Sequence, residues 1–353
     1  MRVTRTVTTS VVLGFAIGAS AILAPASAET AEEFYKSKKE MIMVVGSAPG
    51  GGYDGYARML SRYMSKYLPG QPNIITNNMP GAGGVRAANF VANIAPKDGS
   101  VISIMDRGLP TAPLLYGENS NTQFDPAKMN WLGSASSESG MAVFGARSPA
   151  KTLMEATKVE VVLGSTGAEG DTAMMPRMLN EMFGTKFKII TAYKGQPEVV
   201  QAVQKGELDG LFMSGWSGQT RELLLQMYAR KEVGFMVQMG FKRDPDIGDV
   251  PTIMELIKND DDRKVMEVIL GRLELGRPFV APPGVPADRV AVLRKAFSDA
   301  CADPELVLEG DKTRRYIEPI DGATTQKMIE AVYKTSPEVI AKIRSYVKPP
   351  AAQ

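Results

Sequence analysis

Histidine is absent from all 353 residues. This removes histidine-dependent triads and the commonest zinc sites, and leaves any general base to be sought among carboxylates and lysines. Cysteine occurs once, as Cys301, so no intramolecular disulfide can form and stability must come from the core. Within the helical run Val290 to Ala302 that thiol reads as a small buried apolar residue rather than a reactive group. An excess of charge is missing too. Of the 41 basic residues, Arg2 and Arg5 fall in the first 28 positions, which leaves 39 against 39 acidic ones. No general field then gathers nucleic acid or anionic lipid, and any anion must be recognised locally. Long apolar runs are also lacking. Only the one near the start stands out, and it falls short of the roughly 20 residues a membrane-spanning helix needs.

That run identifies the N-terminus. Arg2 and Arg5 form a positive leader, Val11 to Ala24 is apolar, and Ala26-Ser27-Ala28 offers small residues at a cleavage point. Together they read as a secretory signal peptide cut after Ala28. There is no twin-arginine pair and no cysteine at the cleavage point to take a lipid, so the mature chain is expected to be exported, soluble and unanchored. Its remaining length suffices for two domains with ordinary cores.

Beyond the leader, short apolar runs alternate with helical patterns, which predicts an α/β fold with mostly parallel sheets. Strands are expected at Met41–Val45, Ile74–Thr76 and Val101–Met105, with helices at Tyr53–Leu68 and Val85–Ile94. A second series follows Pro149: strands at Val159–Leu163, Phe187–Thr191, Leu211–Met213 and Gly234–Gln238, a helix at Met174–Phe183, and a helix start at Pro197. Phe279 to Phe297 reads as a strand, a Pro-Gly turn and a helix that crosses back to the first half. Asn259 to Lys264, "NDDDRK", reads as a solvated turn, because its aspartates lack the alternate spacing and glycine of a calcium loop. The 21 methionines are expected mainly as core filler.

Glycines punctuate these series where strands end. Pro49, Gly50, Gly51, Gly52, Tyr53 and Asp54 stand between a strand and a helix, where backbone N–H groups can approach a ligand and the helix end adds partial positive charge. Gly46 and Gly51 have the spacing of a phosphate loop, but Gly52 and Tyr53 replace its lysine and hydroxyl residue, and the dinucleotide pattern is absent. A tight turn capped by Asp54 is the equal alternative. A second glycine turn, "NNMPGAGGV", again joins a strand to a helix.

With both turns in view, the chain resembles the extracytoplasmic solute receptors of tripartite tricarboxylate transporters. Their signatures P-G-G-x-D-x-x-A-R and E-N-x-P-G-A-G-G stand here as Pro49, Gly51, Gly52, Asp54, Ala57 and Arg58, then Asn78, Pro80, Gly81, Ala82, Gly83 and Gly84. The likeness continues through "PKDG", "GSTGAEGDT", "YKGQPE", "GELDGLF", "DVPTIMEL" and "VAPPGVPADRV". It implies a two-lobed periplasmic binding protein fold, type II-like, closing on a small organic carboxylate held by main-chain groups, often through water. A single carboxylate charge needs no phosphate-gripping lysine. The resemblance also implies a periplasmic location and large and small membrane subunits as partners. No cofactor, metal or nucleic acid is expected, and a monomer is. Departures are Asn77 in place of Glu, Glu169 in place of a common glycine, and Asp106-Arg107-Gly108 in place of a short neutral segment.

Candidate contacts follow. In the first lobe they are the turn Pro49 to Asp54, and Pro80, Gly81, Ala82 and Gly83. Arg107 could grip a carboxylate bidentately, pair with Asp106 at the surface, or brace the lobes. Ser165, Thr166 and Gly167 offer donors from the second lobe or cap a helix, while Glu169 and Asp171 could complement a helix dipole. Tyr193 and Lys194 follow a strand. Asp209 could meet a ligand hydroxyl or tie down a turn, and Trp216 could wall a ligand or pack in the core. The expected division is a signal peptide at 1–28, a first lobe at 29–140, a second at 141–275, and 276–353 crossing back to the first lobe and ending in helices. A sensor of the same fold read by a membrane kinase is the alternative function. A periplasmic hydrolase is the other, although no nucleophile–base pair is visible.

Overall fold

The computed structural model describes Met1 and residues 29–347, apart from 166–170, 194–195, 214 and 217. Apart from Met1, the signal segment lies outside these residues, as do Thr166, Gly167, Glu169 and Lys194.

Eleven strands form two sheets among the described residues: β1 (Glu40–Val45), β2 (Asn73–Asn78), β3 (Val101–Ile104), β4 (Asn130–Ser134), β5 (Gly140–Gly145), β6 (Val161–Gly164), β7 (Phe187–Ile190), β8 (Gly210–Met213), β9 (Val233–Met239), β10 (Pro278–Ala281) and β11 (Ile320–Asp321). The first sheet runs β11-β4-β10-β3-β1-β2 and the second β7-β6-β8-β5-β9. Alternation along the strands shows why both sheets are covered on two faces. Met41, Met43 and Val45 pack under the helices Gly52–Tyr67 and Ala287–Ala302, while Val44 turns to the other face with Ala88 and Val91. In the second sheet Ala142 and Phe212 face the helices Asp171–Phe183 and Asp260–Glu274, whereas Met141, Val143 and Leu211 face Gln196–Lys205 and Gly218–Ala229. The chain is a two-lobed α/β protein.

The expectation of mostly parallel sheets needs correction. β1 pairs in parallel with β2 and β3, and β6 with β7 and β8. All pairings of β5, β10 and β11 are antiparallel. Two of these strands, β5 and β10, enter a sheet from the other lobe, and a local apolar pattern carries no record of that direction. The strands β4 and β5 were not read from the sequence at all.

Two crossing segments lie side by side. Ala135 N donates to Arg277 O at 2.9 Å, and Glu138 N to Leu273 O at 2.8 Å. A Cβ on Gly276 would stand 2.5 Å from Glu138 Cγ and 2.9 Å from Ser136 O, so the two segments touch only because that residue has no side chain. Helix Gly322–Val332 packs on β4, and the last helix, Pro337–Val347, returns to the core of the second lobe through Ile340 and Ile343.

"NDDDRK" is a helix start rather than a turn. Asn259 caps Asp262 N at 2.7 Å, and Asp260, Asp261 and Asp262 occupy the first turn, where their charge complements the helix dipole. Cys301 is buried in its helix, and burial pushes the thiol up to about 12.

Candidate ligand-binding site

Because β1 has β2 on one side and β3 on the other, the connections leave its carboxyl end in opposite directions. That is the place where open α/β sheets bind ligands. A cavity of about 280 Å³ lies there, lined by Gly46, Ser47, Tyr53, Gly83, Gly84, Ile104 and Asp106. Ser47 Oγ is buried without a hydrogen-bond partner among the described residues.

The two glycine turns reach this cavity by different means. The second is left-handed: φ is +143° at Gly81, +47° at Ala82, +61° at Gly83 and +93° at Gly84. Only glycine visits this region freely, so Ala82 carries strain of the kind that collects at binding sites. In the first turn only Gly50, with φ +83°, needs to be glycine for its backbone. Gly51 has φ −74°, open to any residue. Gly46 matters for a different reason, because a Cβ there would lie 2.9 Å from Gly84 Cα. The absence of that carbon lets the two turns pack back to back.

Both turns open helices whose N-caps, Gly51 and Gly84, supply no side-chain hydrogen bond. Elsewhere Thr30, Asn259, Asp303 and Asp321 supply such caps. At the first of these starts the first-turn N–H groups lack intrahelical acceptors, whereas at the second Gly84 N and Val85 N already donate to Gly81 O and Ala82 O. Asp54 does not provide one of those caps for the later turns. It is buried, and it accepts from Gly50 N (2.8 Å), Arg58 Nε (3.0 Å) and Asn78 Nδ2 (2.9 Å). Burial works to raise its carboxyl, and these donors outweigh it, leaving the pKa below the usual aspartate value. Asn78 Nδ2 also donates to Ser47 O at 3.0 Å, so the motif residues Asp54, Arg58 and Asn78 brace the two turns. Pro49, Gly50, Pro80, Gly81, Ala82 and Gly83 are exposed, while Tyr53 reaches inward and its hydroxyl accepts from Arg107 N at 3.1 Å.

Arg107 is 7% exposed and points away from solvent. Its Nη2 lies 3.4 Å from Asp171 Oδ2 in the second lobe, and Arg272 Nη2 lies 3.0 Å from the other oxygen. Burial alone would raise the Asp171 carboxyl, but Arg272 and Arg107 hold its pKa down. Of the roles weighed for Arg107, the geometry is that of an interlobe brace. Close by, Arg277 Nη2 pairs with Glu138 Oε1 at 2.7 Å, and its guanidinium sits 4.8 Å from the Tyr53 ring centre and 5.1 Å from that of Tyr56. This buried pair ties one crossing segment to the other.

The second-lobe candidates that the structure describes are engaged internally. Ser165 is fully buried and its hydroxyl lies 2.7 Å from that of Thr172. Tyr193 N donates to Ser165 O at 3.4 Å, and its ring packs against Gly164. Asp209 accepts from Val162 N at 2.8 Å. This places it beside the start of β6, at the end of the sheet away from the cleft, where it ties strands together. Trp216 is 5% exposed, edge-on to Phe235 at 5.2 Å, and its indole donates to Asp244 at 2.8 Å. It is a core residue rather than an aromatic wall.

The structure also brings in Gly46, Ser47, Gly84, Ile104 and Asp106, which sequence reasoning left out of the site. They end β1 and β3, whose register sets Val45 opposite Ile104. Only that pairing makes 46–47 and 106 neighbours, although the glycine at 84 was visible in the motif. Among the described residues no cluster of His, Cys, Asp and Glu could hold a metal ion, and no helix is long and apolar enough to cross a membrane.

Known proteins share this fold. The family model of the tripartite tricarboxylate transporter family receptor, TctC, matches residues 56–345, beginning just after the first glycine turn. A UPF0065 protein in the gbd 5′ region of Cupriavidus necator is 29% identical over 299 residues, covering 82% of this chain and 81% of that protein. A TctC solute-binding protein from Polaromonas superposes with a TM-score of 0.66 at 18% identity, over 87% of this chain and 99% of the other. MatC from Rhodopseudomonas palustris with bound malate gives 0.60 at 20% identity, over 88% and 99%. With most of its length matched and the fold shared, this chain belongs to the TctC family of tripartite tricarboxylate transporter receptors.

Proposed function

We propose that this receptor is exported to the periplasm by a signal peptide cleaved after Ala28. There it captures a small organic carboxylate in the interlobe cleft without transforming it, and hands it to the large and small membrane subunits of a tripartite tricarboxylate-type transporter. The lobes in this reading are 29–140 and 141–275, with the chain from 276 crossing back to the first lobe before its last helix, Pro337–Val347, returns to the second. The observation that carries it is the convergence of two helix starts without side-chain caps on one cavity, one of them entered through a left-handed turn. Backbone donors at Gly51 to Tyr53 and Gly81 to Gly83 take the anion, and the second lobe closes over it. The malate held by MatC supports the ligand class. A micromolar dissociation constant needs about 8 kcal/mol, which a few charge-assisted hydrogen bonds of about 1.5–3 kcal/mol each largely supply.

A thermal-shift screen of the purified protein against mono-, di- and tricarboxylates, with turnover monitored, tests this reading. Stabilisation by one acid without product formation is expected. Turnover of any acid would overturn the receptor assignment, as would the absence of any shift.

A further inference from the structure

Among the described residues, Asp106 is the one acidic side chain lining the cavity. Its position is half-buried, one carboxylate oxygen accepts from Gly108 N at 2.8 Å, and it has no ion-pair partner among the described residues. The nearby guanidiniums of Arg107 and Arg272 both ion-pair with Asp171, although the Asp106 charge still acts on Arg107. The Gly108 bond does not explain a charge here, since an asparagine carbonyl would accept it equally well. Among the described residues at the junction, Arg107 and Arg272 share Asp171 and Arg277 pairs with Glu138, and Asp106 stands outside these ion pairs. An acid whose only polar groups are carboxylates would satisfy the backbone donors and Ser47, but would set an uncompensated anion beside Asp106. Confining two like charges at low dielectric is unfavourable.

We infer that Asp106 receives a cationic nitrogen, and that the preferred ligand is a zwitterionic amino acid rather than a bare di- or tricarboxylate. The inference rests on the carboxylate-receptor reading and sharpens it. The ligand's carboxylate lies on the N–H groups of the glycine turns and on Ser47. Its ammonium group donates to Asp106 and offsets that charge.

Calorimetry on the purified chain tests this with three matched series: propionate, lactate and alanine; succinate, malate and aspartate; glutarate, 2-hydroxyglutarate and glutamate. In the series that binds, the amino member should be tighter than the unsubstituted acid by at least about tenfold, and tighter than the hydroxy acid. Asp106→Asn, which keeps the Gly108 bond, should shrink that preference to within about twofold while the melting temperature holds. An unsubstituted or hydroxy acid binding as tightly as its amino partner overturns the inference and leaves the receptor reading standing. So does a preference that survives Asp106→Asn. If no member of any series binds, the receptor reading falls and takes this inference with it.

Discussion

The two lobes treat their polar groups in opposite ways. In the first, the turns after β1 and β2 open helices at glycine caps that supply no side-chain hydrogen bond, and the chain accepts a left-handed alanine beside one of them. In the second, Ser165, Asp209 and Trp216 spend their polar atoms on Thr172, Val162 and Asp244. In the proposed reading the anion is therefore met by backbone, where a single negative charge can be shared among several fixed dipoles. The second lobe is joined to the first through Arg107 and Asp171. The lesson is that side chains with the right chemistry are weaker evidence of a site than main-chain donors without partners.

That contrast can be broken at the junction first. Arg277→Ala removes the guanidinium that pairs with buried Glu138 at 2.7 Å, and should destabilise the protein by about 3–5 kcal/mol. Urea unfolding measures it, and a loss under about 1 kcal/mol would mean that the crossing segments do not depend on this pair.

Next comes the first-lobe turn. A side chain at Gly83 meets no atom within 4 Å but must adopt φ +61°, so Gly83→Val should fold yet push the turn out of its left-handed form. Ligand affinity should fall by about 2 kcal/mol or more. Gly51→Val is the matched control: its φ of −74° suits any residue, and its backbone should tolerate the change. Equal affinity for wild type and Gly83→Val in calorimetry would mark the left-handed turn as structural only.

Trp216→Phe sharpens the second-lobe side. It removes the 2.8 Å bond to Asp244 and should cost about 1.5–2 kcal/mol of stability without altering the dissociation constant. A change in affinity with unchanged stability would return Trp216 to the ligand site. The smallest effect is expected from Ala82→Gly, which relieves φ +47° and should stabilise the protein by about 1 kcal/mol, raising the melting midpoint. A lower midpoint would show that the alanine is not strained.

Much of this was legible in the chain itself. The strand–glycine–helix order of the first lobe, the burial of Cys301 and the crossover at Phe279 all follow from local pattern, because periodicity and turn chemistry act over a few residues. The motif residues Asp54, Arg58 and Asn78 were legible as a signature, though not as the brace they form, since their hydrogen bonds span up to 24 residues. Tertiary structure alone decided the rest. Sheet order put Asp106 beside Gly46, β5 and β10 entered their sheets antiparallel, and Arg107 met Asp171 across the cleft. Composition and spacing fix which groups a chain offers, but long-range pairing determines which of them are used up by one another and which remain for a ligand.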